Sequence, residues 1–180
     1  LRVEKKILDY NKINETINLP SSTISILSLD QNHKIENLTI NSSKTNDSAL
    51  IIKLNKNNLK RIEFNEINLQ NQVLNKKIQN RNITGCINIV DSDFKIENII
   101  INGSNCEDGL NIIKSTGQIE NIKIKDAISD GVDFDYSNLK LDFVDVDNAK
   151  GDCLDFSFGK YEIEDGNLNN CADKAVSVGE

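Results

Sequence analysis

Apolar and polar residues alternate in short runs along much of this chain. Val132 and Phe134 alternate with Asp133 and Asp135, and Ile122 and Ile124 alternate with Lys123 and Lys125. A period of two marks strands buried on one face. Ile, Val and Phe suit such strands, and the single Pro leaves them unbroken. Turn-forming clusters separate the runs at Gly103-Ser104-Asn105, Ser129-Asp130-Gly131 and Asn148-Ala149-Lys150-Gly151. No helical period with proper caps runs beyond ten residues.

The runs recur. DGLNII begins at Asp108, DGVDFD at Asp130, DCLDFS at Asp152 and DKAVSV at Asp173, in steps of 22, 22 and 21, and GCINIV at Gly85 precedes them by 23. A second series, Ile96, Ile119, Leu141 and Ile163, keeps step at 23, 22 and 22. Two strand series sharing one period predict an all-β, right-handed parallel β-helix with coils of about 22 residues. Roughly eight coils fit a chain of this length. Stacking at the ~4.8 Å strand spacing makes Ile96, Ile119, Leu141 and Ile163 one buried ladder, and Leu110, Val132 and Leu154 another. A leucine-rich horseshoe has a similar period, but its Leu-x-x-Leu-x-Leu consensus is missing.

The first half follows the pattern loosely. SALIIKL at 48–54 and LKRIEFNEINL at 59–69 read as strands. Residues 70–84 break the register, carry Lys76, Lys77 and Arg81, and read as a loop inserted at one corner. The expected organisation is one domain over 1–180. Residues 1–30 form an N-terminal cap or first coil, and the chain stops in mid-coil.

Composition adds charge. The 180 residues include 27 Asn and 26 Ile, an excess that AT-rich codon usage explains. The six Asn-x-Ser/Thr sequons (Asn14, Asn37, Asn41, Asn46, Asn82, Asn102) matter only in a glycosylating host. Residues 1–90 hold 13 basic and 8 acidic side chains, and residues 91–180 hold 8 and 20. The second half therefore carries −12, which excludes a nucleic-acid backbone as its partner. No apolar run is long enough to span a membrane.

Two rows of carboxyl groups follow from the coil spacing. If Val132 and Phe134 point in, Asp133 and Asp135 point out, with Asp155 beside Asp133 on the next coil and Asn111 on the one before. Adjacent carboxylates repel. Such a row is either a binding surface holding a cation such as Ca²⁺ at Asp133, Asp135 and Asp155, or a solvated acidic face. The turn residues Asp108, Asp130, Asp152 and Asp173 form the second row. They either line a cleft or cap backbone N–H groups at a repeated corner.

Over residues 85–180 the repeat resembles the pectin-lyase-like right-handed β-helix proteins, and in wording the polygalacturonase-type hydrolases. Ile128-Ser129-Asp130-Gly131 stands where that family has Asn-Thr-Asp-Gly. Gly151-Asp152-Cys153-Leu154 stands for Asp-Asp-Cys-Ile, and Asp173-Lys174-Ala175 for Gly-His-Gly. The resemblance implies acid and base roles for Asp130 and Asp152, with Lys174 in place of the family's His. Gly151 breaks the carboxylate pair, and no Arg follows Arg81 to serve as the family's substrate clamp. Inverting hydrolysis also needs carboxyl groups ~6.5–9.5 Å apart, whereas equivalent positions on adjacent coils lie nearer ~5 Å. Lyase chemistry of the related pectate lyases would use strand carboxylates, calcium and a basic residue such as Lys150 or Lys160. The ending CADKAVSVGE is also similar to β-helical segments of bacterial surface proteins that carry a spore-coat-type kinase-like region.

Cys86 and Cys153 hold one place in coils three apart, about 14 Å by strand spacing, as do Cys106 and Cys171. Pairing Cys86 with Cys106, or Cys153 with Cys171, would cross a coil and several positions along it. The expectation is four unpaired, mostly buried thiols. His33 stands alone and reads as a surface or turn residue. The reading that results is a non-catalytic secreted or cell-surface module, structural or glycan-binding, with a polysaccharide or another surface protein as partner. The competing reading is a lyase or hydrolase of acidic polysaccharide acting through the same aspartates.

Overall fold

A computed structural model describes residues 4–9, 15–42, 48–66, 76–78 and 81–179. Among them there is no helix. The strands are β1 (Glu4–Ile7), β2 (Thr16–Leu19), β3 (Thr23–Asp30), β4 (Asn37–Ser42), β5 (Ala49–Glu66), β6 (Lys76–Ile78), β7 (Arg81–Ile83) and β8 (Gly85–Val90). They continue as β9 (Asp93–Ser104), β10 (Asp108–Ile113), β11 (Thr116–Ala127), β12 (Asp130–Asp135), β13 (Asn138–Ala149), β14 (Leu154–Ser157), β15 (Lys160–Cys171) and β16 (Val176–Gly179).

All the strands except β6 and β7 belong to one parallel stack, a β-solenoid of about seven turns of about 23 residues. Short strands pair in the order β5–β8–β10–β12–β14–β16, and long ones in the order β5–β9–β11–β13–β15. The 18-residue β5 belongs to both rows, with a register shift between Asn55 and Asn57 where it turns from one to the other. β1 and β2 already pair in parallel with β3 and β4. Within the sequence expected to be an inserted loop, β6 and β7 form a small antiparallel hairpin apart from the stack. Residues 67–75 and 79–80 of that region lie outside the described residues.

Both hydrophobic ladders form. Ile96, Ile119, Leu141 and Ile163 are successive register partners, as are Leu110, Val132 and Leu154. Ile96, Ile119 and Leu141 are fully buried, while Ile163, on the last long strand, is 38% exposed. Complete burial of an aliphatic side chain is worth ~1.5–3 kcal/mol, so the interior coils hold most of the stabilisation.

A buried hydroxyl row fixes one corner. Ser92 Oγ accepts the Leu54 N–H at 2.9 Å, Ser115 Oγ the Ser92 N–H at 3.2 Å, and Ser137 Oγ the Ser115 N–H at 3.0 Å. In the next coil Gly159 holds the serine position, and the Tyr161 hydroxyl takes over, accepting the Ser137 N–H at 3.3 Å. A side chain at 159 would collide with that hydroxyl and with the Ser137 carbonyl. Exchanging Ser for Gly thus makes room for a phenol that joins Phe134 and Phe156 in the core.

The cysteines differ from the sequence-based expectation. Cys86 is bonded to Cys106 and Cys153 to Cys171, with Cα separations of 5.3 and 5.4 Å, and there are no free thiols. Counting positions along the coil overstates the distance. One full coil of 22 or 23 residues returns the chain to its starting corner. A separation of 20 or 18 residues therefore leaves the second cysteine at the corner entering the next coil, diagonally above the first. Only one coil spacing then separates them, within reach of a disulfide.

Candidate functional site

The outward face of the short-strand row changes character along the axis. Inward side chains of β5, β8, β10 and β12 belong to the main core, whereas Ile24, Ala49, Ile51, Val90 and Ile113 form a second apolar cluster with Ile83. Ile83, at the end of the hairpin, thus packs over the outer side, and β8 and β10 are buried on both faces. From β12 onward alternation returns, and the outward residues become acidic.

The register places Asn88, Asn111, Asp133 and Asp155 in one outward line. Val90, Ile113, Asp135 and Ser157 form the line beside it. Asn111 lies where the covered part meets the open part and is 2% exposed. Its Nδ2 donates to Thr84 Oγ1 at 2.6 Å, Asp133 Oδ2 at 3.2 Å and Asp108 Oδ2 at 3.4 Å. Its Oδ1 is buried without a hydrogen-bond partner.

These carboxyl groups hold protons unusually well. Burial, aided by Asp130 and Glu107, pushes Asp108 up to about 7, against hydrogen bonds from Thr84 and Asn111 that favour the anion. Asp133 is pushed up to about 9, first by burial and then by Asp108, Asp135 and Asp155. Asp135 and Asp130 are raised as well, each chiefly by burial. Desolvation and like charge act in the same direction here, and Asp133 is the carboxyl group they push furthest.

The turn aspartates do something different. Asp130 Oδ1 accepts the Asp152 N–H at 2.7 Å, and Asp152 Oδ1 accepts the Lys174 N–H at 2.8 Å. Each carboxylate therefore caps the backbone of the following coil, one of the two roles foreseen for that row. Lys174 Nζ lies 3.5 Å from Asp152 Oδ2 and 3.7 Å from Asp173 Oδ2, and both carboxylates raise its pKa. Gly151 is explained by the same cap. A Cβ there would run into Asp130 Oδ1, so the second carboxylate of the family motif has no room while Asp130 holds the Asp152 N–H.

The basic residues weighed as proton acceptors have other partners. Lys150 Nζ donates to Asn148 Oδ1 at 2.8 Å, and Lys160 pairs with Glu162 at 3.4 Å. His33 sits in the turn after β3, where its Nδ1 accepts the Asp30 N–H at 2.8 Å. Among the described residues no group of three or more His, Cys, Asp or Glu side chains is arranged to hold a metal ion. No helix is long and apolar enough to cross a membrane.

Two residues absent from the sequence-based site stand beside the acidic rows. Tyr136 follows Asp135, and Phe158 follows Ser157. Their rings stack at 4.8 Å between centroids and 7° between planes, and they are 55% and 51% exposed. Their spacing of 22 residues, directly after the outward aspartate line, was the available signal. On the long-strand row, Lys123, Lys125, Asp145, Asp147, Asn169 and Asn170 line a shallow groove.

Comparison with protein-family models, curated proteins and solved structures finds no match to this chain.

Proposed function

We propose that this solenoid is a non-catalytic secreted or cell-surface module of pectin-lyase-like construction, with a glycan-binding role for its outward acidic face. The carrying observation is that Asp130 and Asp152, the pair that the polygalacturonase resemblance would make acid and base, are both engaged in capping the next coil. A carboxylate fixed on a backbone N–H, with the neighbouring position closed by Gly151, is poorly placed to activate water or protonate a leaving group. The two disulfides are consistent with an extracellular setting. On the open part of the face, Asp133, Asp135, Asp155 and Ser157 stand in register and supply hydrogen-bonding groups at the coil spacing.

One observation favours an enzyme of acidic polysaccharide. Asp133, with its pKa near 9, keeps a proton at neutral pH, as a general acid must. Incubation with a panel of acidic polysaccharides separates the readings. Ultraviolet absorbance reads unsaturated lyase products, and a reducing-end assay reads hydrolysis. The module reading expects no product from either. Product formation that Asp130→Asn or Asp133→Asn abolishes would establish the enzyme instead.

A further inference from the structure

The corner after each short strand repeats at Asp91, Lys114, Tyr136 and Phe158, with φ of 48°, 49°, 50° and 44°. All four lie in the left-handed region, which is unfavourable for bulky side chains. Asp91 and Lys114 show that the corner needs no ring. Core packing does not require these two rings either. Phe134, Phe156 and Tyr161 form the inward aromatic group of the same coils, while Tyr136 and Phe158 are about half exposed. Rings at a strained corner, stacked on one another and facing solvent, offer a flat apolar surface whose polar neighbours are already in place.

Those neighbours are Asp135 and Ser157, adjacent in sequence and paired in register, with Asp133 and Asp155 two positions further back on the same strands. We infer that Tyr136 and Phe158 form the stacking shelf of a binding site for an uncharged, hydroxyl-rich glycan, with Asp133, Asp135 and Asp155 as its hydrogen-bonding edge. The inference rests on the glycan-binding reading above and names its ligand class. The C–H face of a sugar ring suits an aromatic surface, and carboxyl groups both accept from and, when protonated, donate to sugar hydroxyls. Burial and the neighbouring carboxylates raise both Asp133 and Asp135, and Asp133, pushed up to about 9, can donate near neutral pH. Uronic or sulfated chains would bring further negative charge against the carboxyl groups Asp133, Asp135 and Asp155.

The test is calorimetric titration of the intact protein with soluble neutral oligosaccharides (β-glucan, mannan and N-acetylated chitin series). Oligogalacturonate and deacetylated chitin oligomers are the charged arms. Tyr136→Lys and Phe158→Lys place at the corner the residue that Lys114 shows it accepts. Tyr136→Phe keeps the ring, and circular dichroism confirms the fold of each variant. The expected result is binding to a neutral series, weakened roughly tenfold or more by either Lys variant and kept by Tyr136→Phe. Neutral-glycan binding unchanged in both Lys variants would overturn the shelf while leaving the glycan reading intact. Ring-dependent binding confined to a charged series would overturn the uncharged class. Absence of binding to every arm would overturn the shelf and the glycan reading together.

Discussion

Gly151 offers a sharp test of the capping arrangement, because two considerations predict opposite outcomes for Gly151→Ala. Its φ is not among the positive values. On backbone grounds alone, Ala should therefore stabilise by roughly 0.4–1 kcal/mol through the unfolded chain. The packing argues otherwise. A Cβ at 151 would meet Asp130 Oδ1 head-on and lie 3.3 Å from the Ser129 carbonyl carbon. Asp130 must swing away and release the Asp152 N–H, now held at 2.7 Å. A hydrogen bond to a charged group is worth about 1.5–3 kcal/mol, so Ala should destabilise by about 1–2 kcal/mol once the backbone gain is subtracted. Gly151→Asp, which places a second carboxylate directly before Asp152, adds repulsion from Asp130 and Asp152. At about 4 Å this ranges from ~1 kcal/mol in bulk water to ~4 kcal/mol near a protein surface, for a total loss of roughly 2–6 kcal/mol. Urea denaturation at pH 7 reads both variants against the wild type. An Ala variant as stable as the wild type or more so, or an Asp variant without further loss, would refute the cap.

Three further outcomes follow from the same packing. Asp108 has a folded-state pKa of about 7 against an ordinary carboxylate value when unfolded. The folded protein therefore holds the extra proton, and the contribution of Asp108 to stability, complete below about pH 4, is lost as pH rises through 7. Asp108→Asn should flatten that fall by roughly 2–3 kcal/mol between pH 5 and pH 8, read by denaturation at those two pH values, and an unchanged pH profile would contradict it. Replacing both members of either disulfide with Ser opens loops spanning 20 or 18 residues, with an expected loss of about 3 kcal/mol per bridge by loop-closure entropy. Ile119→Ala, in the fully buried ladder, should cost ~2–5 kcal/mol, whereas Ile163→Ala, at 38% exposure on the last long strand, should cost well under half of that.

The coil was legible because inward positions repeat with the strand period. Ile96, Ile119 and Leu141 announced their register before any coordinates, and so did Asn111, Asp133 and Asp155. What stayed hidden depends on contacts between distant parts of the chain. The burial of Asp108 and Asn111 comes from Ile83 and Thr84 lying against the outer side of β8 and β10, and a segment that breaks the repeat gives no period to follow. The disulfides lie on the diagonal between coils, where separations of 20 and 18 residues fall just short of the coil period, so counting positions along the coil overstates their distance. Tyr136 and Phe158 keep the 22-residue coil spacing, but the other occupants of their corner, Asp91 and Lys114, share neither size nor polarity with them, so the full series of four shows only in the backbone angle. The serine row at 92, 115 and 137 keeps the coil period and could have been read, but its break at Gly159 makes sense only with Tyr161 in view.

The central claim is that burial and crowding beside the outward row raise the pKa values of Asp108 and Asp133 well above the ordinary carboxylate range. Carbon-13 NMR titration of the aspartate side chains, with and without millimolar calcium, tests it most directly. The account predicts midpoints near 7 for Asp108 and near 9 for Asp133, unmoved by calcium. Midpoints in the ordinary carboxylate range, or raised midpoints that calcium returns to that range, would contradict it.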